Sequence, residues 1–288
     1  MSGIGIIASI IDGVLVGSVY GLAAMGLTLI WGVMDVINLT HGSIIVAGMF
    51  ALYLLTSALG ISPYVTLVPV LVGGFLIGLA LYWVAVHRMI GQAPLMSLLS
   101  TFSVNLVLIG LGTALWGTVF YNVPVSLPGL TWQRYTFPGT HILAAALSAV
   151  IAACLYVFLY RTQLGKAIRA VAGNRQAAEL VGIPTTRVLA LAFGLGVALA
   201  GVSGMLIATL FPFTLLSGDA YQLKSFVVIV LGGLGNPAGA LLGGIALGLL
   251  EGLVTPFIPV SWTLVIEFAL FVVALIAFPG GVFALRRS

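Results

Sequence analysis

A chain of 288 residues that is 61% hydrophobic and only 6% charged cannot clothe itself in a soluble surface, since an ordinary soluble domain is about a quarter charged. Its formal charge of +4 comes from ten Lys and Arg against six Asp and Glu. The basic residues lie beside the apolar runs, which suits loops at a lipid surface and argues against a nucleic-acid partner. The composition therefore predicts an all-α, polytopic transmembrane helical bundle, a single domain over residues 1–288 with the lipid bilayer as its solvent.

In chain order, hydropathy predicts spans over Ile6–Ile30, His41–Leu59, Tyr64–His87, Pro94–Gly117, His141–Tyr160 and Arg187–Leu210. A short piece, Leu223–Leu231, follows, then Ala238–Val254 and Ser261–Phe278. The expectation is about eight crossings plus one broken or re-entrant segment, since a span takes roughly 20 apolar residues. No Lys or Arg precedes Arg88, so a cleaved leader is not expected. The lone Cys154 lies in an apolar run and is expected to be a small buried side chain.

Basic residues favour short cytoplasmic loops. Arg161, Lys166, Arg169, Arg175 and Arg187 share the loop 161–187, and Arg88 lies at a turn of the same parity. Both are expected on the cytoplasmic side, which puts the N-terminus outside, with Arg134 as the one basic residue on the wrong side. Arg286 and Arg287 predict a cytoplasmic C-terminus.

Two breaks interrupt the apolar pattern. The first runs from Trp31 to Gly42 and carries Asn38, Thr40 and His41; the second runs from Gly232 to Gly239 and carries Gly233, Gly235 and Asn236. Irregular backbone at membrane depth is tolerated where it is buried in protein or lines a watery cavity, so these residues are candidates for a translocation path. The alternative for the first break is a loop turn capped by Asn38 and Thr40. Gly13, Gly17 and Gly21 form a stripe of small residues, as do Gly235, Gly239 and Gly243, and Gly244, Gly248 and Gly252. Such stripes allow close helix packing on two faces of the late helix. The stretch Leu164–Pro184 reads as a short basic amphipathic helix ended by Gly182 and Pro184, which by default would lie on a lipid surface.

Asn38-Leu39-Thr40-His41-Gly42 resembles the Asn-Phe-Ala-His-Gly signature that opens the second helix of branched-chain amino acid permeases of the LivH/LivM type. Gln176-Ala177-Ala178-Glu179-Leu180-Val181-Gly182 is similar to the Glu-Ala-Ala-x-x-x-Gly coupling loop of ABC importers, with Gln176 in the first acidic place. Leu231 to Gly244 resembles that family's glycine-rich late segment. The resemblance implies a permease subunit for branched-chain or other small amino acids, working with a second, LivM-like permease or as a homodimer. It also implies two cytoplasmic ATPase subunits and an external binding protein. Ala177, Ala178 and Gly182 would let the loop dock closely on an ATPase, with Lys166, Arg169, Asn174, Arg175 and Glu179 around them. The alternative that the resemblance implies is a permease of the same family for urea, amides or small carboxylates.

The chain has no Gly-x-x-x-x-Gly-Lys-Ser/Thr sequence, so ATP and Mg2+ are expected on partner subunits and no cofactor on this one. His41, His87 and His141 are too scattered for a sequence-local metal motif, and no Gly-x-Ser-x-Gly elbow occurs, so neither a metal site nor enzymatic chemistry is expected. Glu267, in the middle of the last apolar run, is expected to face the interior, either in the pathway or hydrogen-bonded to a neighbouring helix. Asp12, Asp219, Lys224 and Glu251 fall near predicted helix ends, where an interfacial position suffices. A rival reading is an autonomous channel or ion-coupled carrier that uses Glu267 and Lys224 in its path.

Overall fold

The computed structural model describes residues 3–132, 135–259 and 262–277. Among them are α1 (Gly3–Met34), α2 (His41–Leu59), α3 (Leu67–Leu81, continued by a π-turn at Tyr82–Val86), α4 (Pro94–Trp116) and α5 (Gly139–Arg161). There follow α6 (Gln163–Gly173), α7 (Arg175–Leu180), α8 (Thr185–Ala208), α9 (Ser217–Gly232), α10 (Pro237–Val254) and α11 (Thr263–Ala277). Seven helices among the described residues are long and apolar enough to cross a membrane; α9, with 16 residues, and α11, with 15, are shorter. The all-α polytopic bundle is as expected. One small addition is an antiparallel hairpin between α4 and α5, β1 (Leu130–Trp132) with β2 (Tyr135–Phe137).

Several boundaries differ from the sequence reading. The first helix runs on through Trp31–Met34, where Gly32 is kept in the helix by its close packing on Gly235. It stops at Asp35, which adopts φ 54°. The loop expected to form one amphipathic helix is two, because Asn174 ends α6 and its side chain accepts the Ala177 N–H to start α7. The piece Leu223–Leu231 belongs to the longer α9, and the glycine-rich second break shrinks to the four residues Gly233–Asn236 before Pro237 opens α10. Cys154 is exposed rather than buried. The buried stripe of α5 is Ala144, Ser148, Ala152, Leu155 and Leu159, and Cys154 lies off it. Arg134, Arg286 and Arg287 lie outside the described residues, and with them the charge argument for the C-terminus.

Helix α8 is the most enclosed element, and α1, α2 and α3 pack around it. The glycine stripes explain how. A Cβ on Gly13, Gly17 or Gly21 would strike the α10 backbone around Gly248, Gly244 and Leu241, and Gly252 lies against Ser9 and Ile10. The opposite face of α10 meets α9, with Gly239 on Gly232 and Gly243 on Val228. Both faces of α10 are thus in backbone contact, as the two stripes predict. Lipid tails are as apolar as Leu, so helices associate here by close dispersion packing rather than by escape from water.

The bundle has two distinguishable ends. Asp12, His141, the hairpin and the Tyr121–Phe213 bridge gather at one. Helix α5, 23 residues long, places the α6–α7 loop about 34 Å away at the other, at 1.5 Å per residue. Replacing Gly248 with Val should cost about 3 kcal/mol or more by overpacking a backbone contact. Thermal unfolding in detergent should report this as a large loss. Gly73→Ala, where a Cβ meets nothing within 4 Å, should leave the transition in place.

Candidate functional site

Residues 35–40 leave the helical ladder, so their backbone groups need partners that lipid cannot supply. The protein supplies them from two other helices. Thr101 of α4 accepts the Leu39 N–H at 3.2 Å and donates to the Ile37 carbonyl at 2.9 Å. Gln222 of α9 accepts the Gly42 N–H through Oε1 at 2.5 Å and donates through Nε2 to the Asn38 carbonyl at 3.3 Å. Asn38 Oδ1 accepts the Thr40 N–H at 3.1 Å and the Thr40 hydroxyl, which makes a local turn and not a cap on α2. Asn38 and His41 are fully buried, and Thr40 and Thr101 nearly so. Thr101 lies seven residues into α4, about 10 Å along it, so the break is held inside the helical layer rather than on a surface loop.

A second discontinuity meets the first. Residues 209–216, between α8 and α9, are non-helical, and Phe213 bridges to Tyr121. Helix α9 then begins at Ser217, and a Cβ on Gly42 would strike the Gly218 carbonyl. The first turns of α2 and α9 are therefore in backbone contact, with Gln222 bonded across the joint. The side chains of His41 and the Asn38 amide nitrogen have no hydrogen-bond partner among the described residues. Next to the joint, a cavity of about 260 Å³ runs between α2 and α4.

The expected pathway residues fall in three places. Asn38, Thr40, His41 and Gly42 form the joint. Gly233, Gly235 and Asn236 form the turn from α9 to α10, where Gly233 (φ 91°) and Gly235 (φ 76°) use the left-handed region that favours glycine. Asn236 caps α10 by accepting the Gly239 N–H. Gly32 of α1 packs on Gly235. Glu267 faces inward, 2% exposed, and accepts from Lys224 Nζ at 2.7 Å. Lys224 also bonds Glu251 and lies 4.8 Å over the Tyr20 ring. Lys224 and Glu251 are thus mostly buried and mutually paired, not interfacial: each stands on the inner face of a helix, and in lipid that face demands a partner.

The α6–α7 loop is built to hold one shape. Asn174 caps α7, and its C-terminus closes with Gly182 N–H to Glu179 O at 3.0 Å and Ile183 N–H to Ala178 O at 3.0 Å. That pair of bonds around a left-handed residue is a Schellman ending, and Gly182 (φ 82°) provides it. Ala178 is buried toward the bundle, whereas Leu180 and Val181 are 89% and 76% exposed. Glu179 accepts from Thr185 at 2.7 Å and from Arg175 at 3.1 Å. The Thr185 hydroxyl first, and Arg175 next, hold its carboxyl below the usual carboxylate value. Arg169 anchors α6 by donating to the Leu159 carbonyl at 3.0 Å while stacking on Tyr160.

Sequence reasoning missed Gln222, Thr101 and the 209–216 discontinuity. The signals available were Pro212, Ser217-Gly218, and polar residues at helical spacing inside apolar runs, Thr101 with Asn105.

A bundle of spans with a satisfied intramembrane break and a shaped basic loop is the architecture of a membrane transport component. The chain matches the family described as branched-chain amino acid transport system, permease component, over residues 9–275, and belongs to it. It is 29% identical to the high-affinity branched-chain amino acid transport system permease protein LivH of Escherichia coli K12, over 94% of this chain and 93% of that one. It is 26% identical to BraD, the corresponding permease protein of Pseudomonas aeruginosa, over 95% and 94%. A solved structure titled PsaBC from Streptococcus pneumoniae in complex with Fab shares the fold with a TM-score of 0.50 at 14% identity, covering 92% of this chain and 90% of that one. The chain is a multi-pass permease component and not itself an enzyme.

Replacing Gln222 with Met strands the Gly42 N–H and the Asn38 carbonyl. Each buried group left without a partner should cost about 1–3 kcal/mol, seen as a fall in the thermal transition of the detergent-solubilised protein.

Proposed function

We propose that this chain is the membrane-spanning subunit of an ATP-driven importer that carries branched-chain or other small amino acids across the cytoplasmic membrane. It pairs with a second permease, of LivM type or a copy of itself. Two cytoplasmic ATPase subunits, which bind ATP and Mg2+, drive it, and an external binding protein delivers substrate. The N-terminus and the hairpin lie outside; the α6–α7 loop and the C-terminus lie in the cytoplasm.

The observation that carries this reading is the loop. A helix of six residues, fixed at both ends by an Asn cap and a glycine ending, thrusts Leu180 and Val181 outward at one end of the bundle. Large apolar side chains held rigidly in the open are the mark of a docking surface, since surface loops ordinarily carry polar residues. Arg175 and Glu179 border them as a polar rim. Ala178 supports the helix from below, and Gly182 serves through its backbone, so the contact with the ATPase is made chiefly by Leu180 and Val181. Nucleotide-driven movement of the ATPases then shifts the bundle between outward-facing and inward-facing populations. The translocation path follows the joint of Asn38, Thr40, His41 and Gly42 with α9.

Leu180→Asp should leave membrane insertion intact and lower substrate uptake per ATP hydrolysed by about tenfold or more in vesicles containing the whole assembly, the loss a buried apolar anchor typically brings. Gly182→Val should uncouple in the same way by opening the turn; undiminished coupling in both variants would sink the docking role. The loop also has an acid limit. The lowered Glu179 value means its contacts are complete above the ordinary carboxylate range and lost as pH falls through that lowered value. Hydrogen exchange of the α7 amides should therefore stay slow from neutral pH through that range and quicken only below it.

A further inference from the structure

The cavity between α2 and α4 is lined along one helical stripe of α2, with Ser43, Ala47 and Phe50 on that side and Leu108 on the other. Leu215, from the second discontinuity, closes a flank, and its side chain is what a Cβ on Gly112 would strike. At one end Phe50 stacks on Trp116 with ring centroids 4.7 Å apart. At the other, Ser43 donates to Asn105 Oδ1 at 2.5 Å, and Ser43 follows Gly42, so the slot starts at the joint. Among the described residues, no charged side chain lines it.

An apolar slot with one polar foot, at about 260 Å³ roomy enough for a whole small amino acid, has the shape expected of a site that takes an aliphatic group and orients it by its polar end. Ser43 lines the slot and its hydroxyl donates to Asn105 Oδ1, which leaves the Ser43 oxygen as an acceptor and, behind it, the Asn105 NH2 as a donor for a polar end. One wall residue, Leu215, comes from the second discontinuity, and Ser43 follows directly on the joint at Gly42, so a change in the joint reaches the slot as well. We infer that this slot receives the aliphatic side chain of the transported amino acid while Ser43 and Asn105 meet its polar end, and that Ala47 and Leu108 limit the size of side chain accepted. The inference rests on the importer reading given above. Charged amino acids are refused because nothing in the walls compensates a buried charge.

The test uses the complete assembly in vesicles, comparing uptake of leucine and valine in direct competition at subsaturating concentrations with saturating ATP. Ala47→Leu should lower the leucine-to-valine ratio by about tenfold, the discrimination one methylene can bring. Leu108→Ala should raise that ratio, and it decides the matter alone should Ala47→Leu fail to assemble. Ratios equal to wild type in the variants that assemble overturn the slot while leaving the importer reading intact. Vesicles of the unaltered assembly that take up neither amino acid on addition of ATP would instead sink the importer reading. A lipid acyl chain is the rival occupant. Labelling of the slot by a photoreactive phospholipid that leucine does not displace, with unchanged ratios, would assign the groove to lipid and overturn the proposal.

Discussion

A break in a transmembrane helix exposes N–H and C=O groups to a solvent that can bond neither, and each stranded group costs several kcal/mol in hydrocarbon. The break at residues 35–40 therefore dictates what must surround it. Thr101 and Gln222 meet its backbone from α4 and α9, helices that are remote in sequence, and the first turns of α2 and α9 close to backbone contact to bring Gln222 within reach. The second discontinuity, at 209–216, follows from the same geometry: α9 must begin beside Gly42 and not at the far end of α8. The irregular backbone, its polar partners and the adjoining slot are consequences of one requirement.

Close packing makes that arrangement rigid elsewhere. Gly17 on Gly244 and Gly239 on Gly232 let α1, α10 and α9 form a sheaf of helices in backbone contact. The joint of α2 and α9 is itself such a seam, with Gly42 on the Gly218 carbonyl and the Gln222 hydrogen bonds beside it, and any displacement there forfeits many dispersion contacts at once. The α6–α7 loop is continuous with this frame, because α6 packs against α1 and α8, and α1 leads into the break.

Much of this was legible from sequence, and the reason is specific. Glycine at every fourth position has one physical use in lipid, so Gly13, Gly17, Gly21 and the α10 stripes announced their contacts. The polar run at Asn38–His41 announced a break, because polar residues there are costly without a purpose. What could not be read was pairing. Nothing local in Gln222 says that its partner is Asn38, and Pro212 alone does not reveal that α9 starts inside the bundle. Gly182 shows a related limit. A glycine chosen for close approach and one chosen for φ 82° are identical in sequence, and only the open space around it tells them apart.

The charges of the last helices show how far composition reasoning extends. Lys224, Glu251 and Glu267 each look like an isolated ionisable residue near or within an apolar run, and singly each would be read as a pathway group or an interfacial anchor. Together, on α9, α10 and α11, they are one buried cluster with the Tyr20 ring against its ammonium. Otherwise α11 turns an apolar outer face to its surroundings, with Val265, Phe268 and Val272 exposed. Glu267 is the carboxylate that fastens this helix to the bundle, and removing one member of such a set strands the others at high cost. The cluster spends its charges on one another. A path through Lys224 would first have to break the bonds that hold α11 in place.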